Sequence, residues 1–272
     1  MVHVMPSGLQ VQLRKWKLGD RKLIKNTQLV RQGLLIPRLL EHLTENLVDP
    51  GPYSEKDLRV GKSKGMTMSW DNVAWQDTSY AIAKSRGDTR DALAWSQPCI
   101  FCQDIMTIAK KLSTLHSNPT TPEGIAHLRT GEPLVCYAGL SDEDCIPYHT
   151  REDAVAAGLD IDDIARFSMN ILRTRLMPVV FKLRRESPNG DLGLMQTCTQ
   201  IAELVQPDGK VLTDYEAILS FMEEDGLNVE KAVDTFVSKH SGGLEGSFEH
   251  VCSSCHSAQD VALPFGPEFF MM

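Results

Sequence analysis

Two Cys-x-x-Cys pairs, Cys99/Cys102 and Cys252/Cys255, are the strongest chemical signal in the sequence. Within each pair the spacing lets both sulfurs reach one metal ion, and two pairs complete the four-thiolate shell that is typical of structural zinc. In a local zinc ribbon about 15–20 residues separate the pairs. Here the pairs lie in distant parts of the chain. The pattern therefore predicts one structural zinc, held by all four cysteines, that joins two remote segments.

Three other interpretations of the pairs stay open. Zinc knuckles often carry glycine after the second cysteine, whereas Gln103 and His256 stand at these positions, so two buried pairs without metal are an alternative. The run Cys252–His256 also spells the c-type haem attachment pattern, with Met271 or Met272 as a distant ligand. Haem attachment normally requires an exported chain, and the N-terminus lacks a secretion signal.

The third alternative is a thiol-redox protein. Such a role needs a cysteine of low pKa at a helix N-terminus within a βαβ unit. Pro98 before Cys99, and a pattern after it that predicts a helix over Ile105–Leu115, favour this only weakly, because no βαβ unit surrounds them. The corresponding functional alternative would use Cys252 and Cys255.

The rest of the sequence offers no catalytic constellation. It contains no G-x-S-x-G elbow, Walker A loop, G-x-G-x-x-G run or H-E-x-x-H helix, so we predict that the protein is not an enzyme. Cys136, Cys145 and Cys198 lack a local partner at ligand spacing and are expected to be buried small hydrophobic residues. His240 and His250 flank the last glycines and are expected at the surface.

Composition excludes several classes of protein. The chain has 272 residues, 42% of them hydrophobic, with 28 Lys and Arg against 36 Asp and Glu and a net charge of −8. An acidic balance argues against a nucleic-acid partner, since phosphate contacts need clustered Lys and Arg. No apolar run approaches the roughly 18–20 residues that span a bilayer, which argues against a membrane partner. Seven sparse cysteines and no signal peptide predict a chain that folds in a reducing cytoplasm.

Periodicity and breakers predict an α+β fold, mainly helical with short strands. The predicted elements are a strand over Leu9–Leu13, a helix from Asp20 with a leucine face from Leu34 to Leu47, a loop over 53–68, a helix capped by Ser69, a helix over Ala154–Leu176, a strand over Val179–Leu183, and helices over Gly193–Val205, Thr213–Glu224 and Leu227–Lys239. A turn is predicted at Pro207–Lys210.

The same patterns predict two modules. Residues 1–115 form an N-terminal helical module that ends in the first cysteine pair, and residues 151–272 form a C-terminal helical module that ends in the second pair and an aromatic tail. Between them, prolines and glycines over 116–150 predict an irregular connection. The zinc site would link the two modules.

Several short motifs resemble those of baseplate hub assembly proteins and hub subunits of T-even-like, contractile-tailed phages. These are Pro6–Leu9 before a strand, Val48–Tyr53, Trp70–Val73 opening a helix that runs to Arg86, the Cys99/Cys102 pair, and a C-terminal end with Val251–Cys255, Leu263–Gly266 and Phe269–Phe270. The resemblance implies a non-enzymatic structural or assembly component of a phage tail baseplate. It implies hub, tape-measure or tube proteins as partners, and a location in the host cytoplasm during assembly, with retention in the virion left open.

A generic cytosolic zinc-stabilised adaptor, without a phage connection, is the second functional alternative beside the thiol-redox protein. The apolar C-terminal tail, with Phe265, Phe269, Phe270, Met271 and Met272, is expected either to fold back on the core or to dock into a partner.

Overall fold

The computed structural model describes residues 1–58, 68–141, 145–186, 192–225 and 227–264. The helices are α1 (Arg21–Ile24), α2 (Thr27–Arg31), α3 (Leu35–Leu43), α4 (Glu55–Leu58), α5 (Trp75–Thr89), α6 (Pro122–Thr130), α7 (Arg151–Ala156), α8 (Met177–Glu186), α9 (Leu192–Gln200), α10 (Tyr215–Asp225) and α11 (Leu227–Ser241). The strands are β1 (Val2–Val4), β2 (Gln10–Leu13), β3 (Thr44–Asp49), β4 (Ala92–Pro98), β5 (Ile105–Lys111), β6 (Ser117–Asn118), β7 (Leu134–Gly139), β8 (Ile164–Met169), β9 (Ile201–Val205), β10 (Val211–Leu212), β11 (Gly243–Leu244), β12 (Ser247–Val251) and β13 (Ala258–Ala262).

The strands form small antiparallel sheets. A three-stranded sheet has the order β1-β2-β3, and a four-stranded sheet has the order β10-β9-β8-β7. The hairpins β4-β5 and β12-β13 form two separate two-stranded sheets, and β6 pairs with β11. The mixture of helices and strands confirms the α+β class predicted from the sequence.

Buried apolar side chains from most parts of the described structure form one continuous cluster. Trp70 and Phe167 are among the largest fully buried side chains, and Cys99 and Cys252 belong to the same cluster. Burial of this apolar surface is the dominant stabilising contribution to the fold. The division of the chain into two modules stays a prediction.

Several predicted elements in the N-terminal part are confirmed and others are wrong. The strand at Leu9–Leu13 is confirmed as β2, with Val11 and Leu13 on its buried side. The single helix predicted from Asp20 is broken into three, with Gly33 at a positive φ of 70° before α3. Leu47 lies in β3 instead of a helix, because its segment pairs with β2.

Two further predictions before residue 115 are corrected. Ser69 does not cap a helix: its hydroxyl accepts a hydrogen bond from the Asp71 N–H, and α5 begins only at Trp75. The helix predicted over Ile105–Leu115 is wrong, because β5 occupies most of it. Met106 and Ile108 are buried while their neighbours are exposed, which is the two-residue period of a strand.

In the C-terminal part, three predicted elements have the wrong type. The helix over Ala154–Leu176 is wrong, since α7 ends before Gly158 at a φ of 101° and β8 follows between β7 and β9. The strand over Val179–Leu183 is wrong because the segment belongs to α8. The helix over Gly193–Val205 ends at Gln200, where β9 begins. In each case a neighbouring strand or helix determined the secondary structure of the segment, and local periodicity does not report that neighbour.

The remaining C-terminal predictions agree with the structure. The helices over Thr213–Glu224 and Leu227–Lys239 correspond to α10 and α11. The turn at Pro207–Lys210 joins β9 and β10, with Gly209 at a φ of 86°.

The segment predicted as an irregular connection, 116–150, contains regular structure. It includes α6 and β7, the latter an edge strand of the four-stranded sheet whose residues are largely buried. The glycines and prolines act locally: Thr121 caps α6 through a hydrogen bond from the Gly124 N–H, Pro122 occupies its first turn, and Gly131 ends it with a φ of 77°.

Some sequence predictions fall on residues outside those that the structure describes. They are residues 59–67 of the predicted loop over 53–68, Gly266 of the motif Leu263–Gly266, and the aromatic tail residues Phe265, Phe269, Phe270, Met271 and Met272. The described part of the same predicted loop includes the short helix α4.

Gly124 in α6 packs directly against the end of α11. A Cβ atom added at Gly124 would lie 2.1 Å from the backbone oxygen of His240, which cannot move without shifting α11. We expect Gly124→Ala to lower the free energy of unfolding by about 2–3 kcal/mol through overpacking, despite the better helix propensity of alanine. Urea denaturation measures this. Gly19→Ala, where a Cβ meets nothing within 4 Å, is the control. Equal stabilities of the two variants would contradict the prediction.

Candidate metal centre

Each cysteine pair lies in the loop of a β-hairpin. Cys99 and Cys102 follow β4 and precede β5, and Cys252 and Cys255 stand in the same way between β12 and β13. The last paired residues of the first hairpin are Pro98 and Ile105, and the other hairpin closes in the same manner. The two loops therefore have equal length.

The backbone hydrogen bonds of the two loops are equivalent as well. In the first loop, the Cys99 N–H donates to the Asp104 carbonyl at 2.9 Å, and the Gln103 N–H donates to the Cys99 carbonyl at 3.0 Å. The second loop repeats both bonds at 3.0 Å, from Cys252 to Ser257 and from His256 to Cys252. The two pairs thus form matching knuckles, although the sequences around them share little beyond the cysteines.

Gln103 and His256, which stand where zinc knuckles often carry glycine, both adopt the left-handed conformation, with φ of 65° and 58°. The backbone therefore adopts the conformation that glycine favours. The Cβ atoms of Gln103 and His256 cause steric strain at this positive φ. The lack of glycine after each pair, which favoured two buried pairs without metal, does not prevent knuckle formation.

The strained position in each knuckle leads to a prediction about stability. We expect Gln103→Gly to preserve the fold and to raise the free energy of unfolding by up to about 1 kcal/mol, because glycine adopts positive φ without steric cost. Gln103→Val should lower it by about 1–2 kcal/mol, since a β-branched residue tolerates this region poorly. Thermal unfolding compares the two. Ser254→Gly, at a position without positive φ, is the control and should be neutral or destabilising. A Gln103→Val protein as stable as the wild type would contradict the prediction.

The two knuckles face each other and bring the four sulfurs together. The Sγ atoms of Cys99 and Cys255 are 3.7 Å apart, those of Cys102 and Cys252 are 3.8 Å apart, and all four lie within 4.8 Å of one another. Four sulfurs at about 2.3 Å from a tetrahedral zinc ion lie about 3.8 Å apart. A disulfide requires about 2.05 Å, and all seven cysteines are free. The four cysteines are therefore able to hold a metal ion.

Contacts outside the sulfurs hold the two hairpins against each other. The Trp95 and Phe248 rings meet edge to face with centroids 6.0 Å apart, and the Lys110 ammonium lies 4.2 Å from the Phe248 centroid. The Ile100 N–H donates to Oε1 of Gln259 at 3.1 Å, which ties the first knuckle to β13. Sequence reasoning missed these supporting residues, because no local pattern pairs side chains that lie so far apart in the chain.

The thiol pKa values of Cys255 and Cys102 are shifted in opposite directions. Hydrogen bonding from the backbone and the side chain of Ser257 lowers the pKa of Cys255 to about 6. At Cys102 a backbone hydrogen bond from Asp104 lowers the pKa, but burial and the neighbouring thiols outweigh it and raise the pKa to about 12. The Cys255 thiolate therefore forms near neutral pH, whereas deprotonation of Cys102 as a ligand needs a nearby cation. Metal binding should release protons.

The remaining cysteines lie outside the cluster, as predicted. Cys136 in β7, Cys145 and Cys198 in α9 are all buried. Burial raises the pKa values of Cys136 and Cys198 to about 12, so both stay protonated thiols. Within the described ranges, the four-cysteine cluster is the one group of three or more Cys, His, Asp or Glu residues with ligand atoms close enough for a metal.

His127 and His240 lie away from this centre. His240 was expected at the surface, but it is 4% exposed, and its Nδ1 lies 2.9 Å from the Thr121 hydroxyl. His127 is buried between the Glu132 carbonyl and the Ile171 N–H, which donates to its Nε2 at 3.1 Å. Desolvation lowers the pKa values of both imidazoles, which keeps them neutral. Both rings therefore serve as packing groups between elements.

The geometry also bears on the haem and redox alternatives. Both sulfurs of the Cys252/Cys255 pair point at the sulfurs of the other pair, which is the arrangement of a shared ligand set. Neither pair stands at a helix N-terminus, since strands flank both loops. The helix expected after Cys99, on which a thioredoxin-like role depended, is the strand β5.

Comparisons with known proteins leave the chain without an assigned family. No protein-family model matches it, and searches of curated proteins and of solved structures give no match either. In the part of the chain that the structure describes, no helix is long and apolar enough to cross a membrane.

Proposed function

We propose that the four cysteines bind one structural zinc ion, which fastens the β4-β5 hairpin to the β12-β13 hairpin. The observation that carries this proposal is the placement of four sulfurs from two matching knuckles at the spacing of a tetrahedral thiolate shell. Tetrahedral sulfur sites suit zinc or iron, and zinc has no redox chemistry to disturb a structural role. The ion would tie chain positions near 100 to positions near 250.

We further propose that the protein is a non-enzymatic structural or assembly component of a contractile phage tail baseplate, in the hub region. The support for this role is the resemblance of its short motifs, above all Val251–Cys255 and Leu263–Gly266 at the C-terminal end. A metal-fastened fold suits a component that must present fixed faces to other tail proteins. Its partners would be hub, tape-measure or tube proteins, met in the host cytoplasm during assembly.

Gene order and particle assembly test the baseplate role. Genes for sheath, tape-measure and hub proteins beside this gene, together with tailless or baseplate-free particles after a nonsense mutation, are the expected results. Complementation with the wild-type gene should restore infectious particles. A gene surrounded by metabolic genes, or normal particles without the protein, would contradict the role and would leave the zinc site untouched.

The principal alternative functions predict different measurements. A zinc-stabilised adaptor outside a phage would bind zinc but lack neighbouring tail genes. A thiol-redox protein that uses Cys252 and Cys255 would reduce insulin disulfides in the presence of dithiothreitol. We expect no such activity, because both sulfurs belong to the shared cluster and neither stands at a helix N-terminus.

A further inference from the structure

The four cysteines of the proposed zinc site differ in their access to solvent. Cys99 and Cys252, the first cysteine of each knuckle, are fully buried. Cys102 and Cys255, the second cysteine of each knuckle, are only partly buried. A small solute that diffuses to the cluster therefore meets one cysteine of each knuckle first, while the other cysteine of the same knuckle belongs to the core.

Two short contacts pair these sulfurs across the hairpins. The Sγ atom of Cys255 lies 3.7 Å from that of Cys99, and the Sγ atom of Cys102 lies 3.8 Å from that of Cys252. Each contact therefore joins an accessible cysteine of one knuckle to a buried cysteine of the other. The two contacts use every sulfur once, so both can become covalent bonds in the same molecule.

Only a small movement separates these contacts from disulfide bonds. The sulfurs of a disulfide are about 2.05 Å apart, so the two sulfurs of each pair have to approach by roughly 1.7 Å in total. Rotation about the Cα–Cβ bonds of the two cysteines brings their sulfurs closer. The Trp95–Phe248 ring contact and the hydrogen bond from the Ile100 N–H to Gln259 hold the two hairpins together during this approach.

A disulfide within one knuckle is the competing product. In an unfolded chain it would form more readily, because a loop of a few residues closes at a lower entropic cost than a long one. The fold removes this advantage, since it already holds sulfurs from positions 150 and 156 residues apart in contact. Disulfides that close such long loops restrict the unfolded chain, and they therefore stabilise the folded state once they have formed.

We propose that a hydroperoxide, such as hydrogen peroxide, displaces the zinc and converts the cluster into two disulfides between the hairpins, Cys99–Cys255 and Cys102–Cys252. The reduced form of this switch rests on the proposed zinc site. A covalent clamp replaces the metal clamp, so the hairpins stay fastened in both states. A baseplate protein that leaves the reducing host cytoplasm in a particle would thus keep its fold without bound metal.

The reaction balances in atoms and electrons. The accessible thiolate of each contact attacks one oxygen of hydrogen peroxide, the O–O bond breaks, and a sulfenic acid forms while the released hydroxide takes up a proton to give water. The buried cysteine then attacks the sulfenic sulfur, an S–S bond forms, the S–O bond breaks, and a second water leaves. The four zinc-bound thiolates, two hydrogen peroxide molecules and four protons give two disulfides, one zinc ion and four water molecules. The peroxide is reduced, and each cysteine loses one electron.

Treatment of the zinc-loaded, full-length protein with hydrogen peroxide tests the proposal. A chromogenic zinc chelator follows the release of zinc, the remaining thiols are alkylated after denaturation, and mass spectrometry maps the tryptic peptides without reduction. Both cysteines of the first knuckle lie in the peptide of residues 91–110, and both of the second lie in the peptide of residues 240–272. We expect release of about one zinc ion per chain and two disulfides that join these two peptides. The cysteines outside the cluster should be recovered alkylated: Cys136, Cys145 and Cys198.

A single substitution distinguishes the two ways of pairing across the hairpins. Cys255→Ser removes the partner of Cys99, so peroxide should form the Cys102–Cys252 disulfide and leave Cys99 to be alkylated. Cys145→Ser, outside the cluster, is the control and should form both disulfides. Fragmentation of the joined wild-type peptides also assigns each disulfide, and it decides the pairing if Cys255→Ser does not fold.

Thermal unfolding measures whether the disulfides replace the metal as a clamp. The oxidised protein should melt within a few degrees of the zinc form and on the order of 10 °C above the reduced, metal-free protein. Disulfides confined to single knuckles, sulfinic or sulfonic acids without disulfides, or retained zinc with unmodified thiols would each overturn the proposal. Protein purified without zinc would count against the zinc site instead. Peroxide treatment of that protein would still support or overturn the pairing across the hairpins.

Discussion

Cys252→Ser is expected to lose zinc and to lower the stability of the whole protein. Cys252 is fully buried, and its sulfur lies 3.8 Å from that of Cys102, so serine removes one of four thiolates at the junction of the hairpins. Because structural zinc contributes directly to folding, we expect a loss of at least about 3 kcal/mol, on the order of 10 °C in melting temperature. The zinc content measured by elemental analysis should fall from about one ion per chain to a substoichiometric amount. A strong chelator should destabilise the wild type to the same extent.

Two controls separate zinc loss from cysteine loss. Ser253→Ala changes an exposed residue within the same knuckle and should keep both zinc and stability. Cys145→Ser removes a thiol outside the cluster, whose sulfur donates to the Gly139 carbonyl at 3.5 Å, and should keep zinc. A wild-type protein that is folded without metal, and that a chelator does not destabilise, would contradict the zinc clamp.

Asp77→Ala is expected to have the second largest effect, through a buried hydrogen-bond network in the N-terminal part. Asp77 is 1% exposed, and its carboxylate accepts hydrogen bonds from the Ser7 N–H at 3.1 Å, the Ser7 hydroxyl at 2.5 Å and the Tyr53 hydroxyl at 2.6 Å. Alanine leaves these donors buried without an acceptor, so we expect a loss of about 3 kcal/mol in urea denaturation.

The pKa shifts describe the same network. Burial raises the pKa of Asp77, while the hydrogen bonds from Ser7 and Tyr53 oppose that rise. Burial and the neighbouring carboxylate raise the pKa of Tyr53 well above 10, which keeps its hydroxyl protonated as a donor. Asp77→Asn keeps one acceptor oxygen and should cost less than Asp77→Ala. Asp162→Ala, at an exposed position, is the control and should be near neutral. Equal stabilities of Asp77→Ala and Asp162→Ala would contradict the network.

The metal centre was more predictable from the sequence than the elements that build it. A Cys-x-x-Cys pair constrains its own geometry, since two sulfurs three residues apart reach one ion from a single loop. The strand β4 before Cys99 was not predicted, and the segment Ile105–Leu115 after it was predicted as a helix. Its alternation of buried Met106 and Ile108 with exposed neighbours is a strand pattern, but the segment is short and its polar positions are few.

Errors of element type share one physical cause. β8 and β9 lie beside each other in the four-stranded sheet, so main-chain pairing and burial outweigh the local helix pattern that their sequences carry. The segment Val179–Leu183 was predicted as a strand, yet Met177, Val180 and Leu183 are buried at helical spacing in α8. Packing against neighbouring elements determines the secondary structure of such short apolar runs. Local periodicity does not carry that information.

By itself the sequence determined the fold class, the four candidate ligands and the local shape of each knuckle's cysteine pair, because these depend on residue types within a few positions of one another. The tertiary structure alone decided that the two knuckles meet and that Gln103 and His256 take the place of glycine at positive φ. The contact between the knuckles joins residues 150 and 156 positions apart. Its formation depends on burial of the common core, which local sequence patterns do not encode.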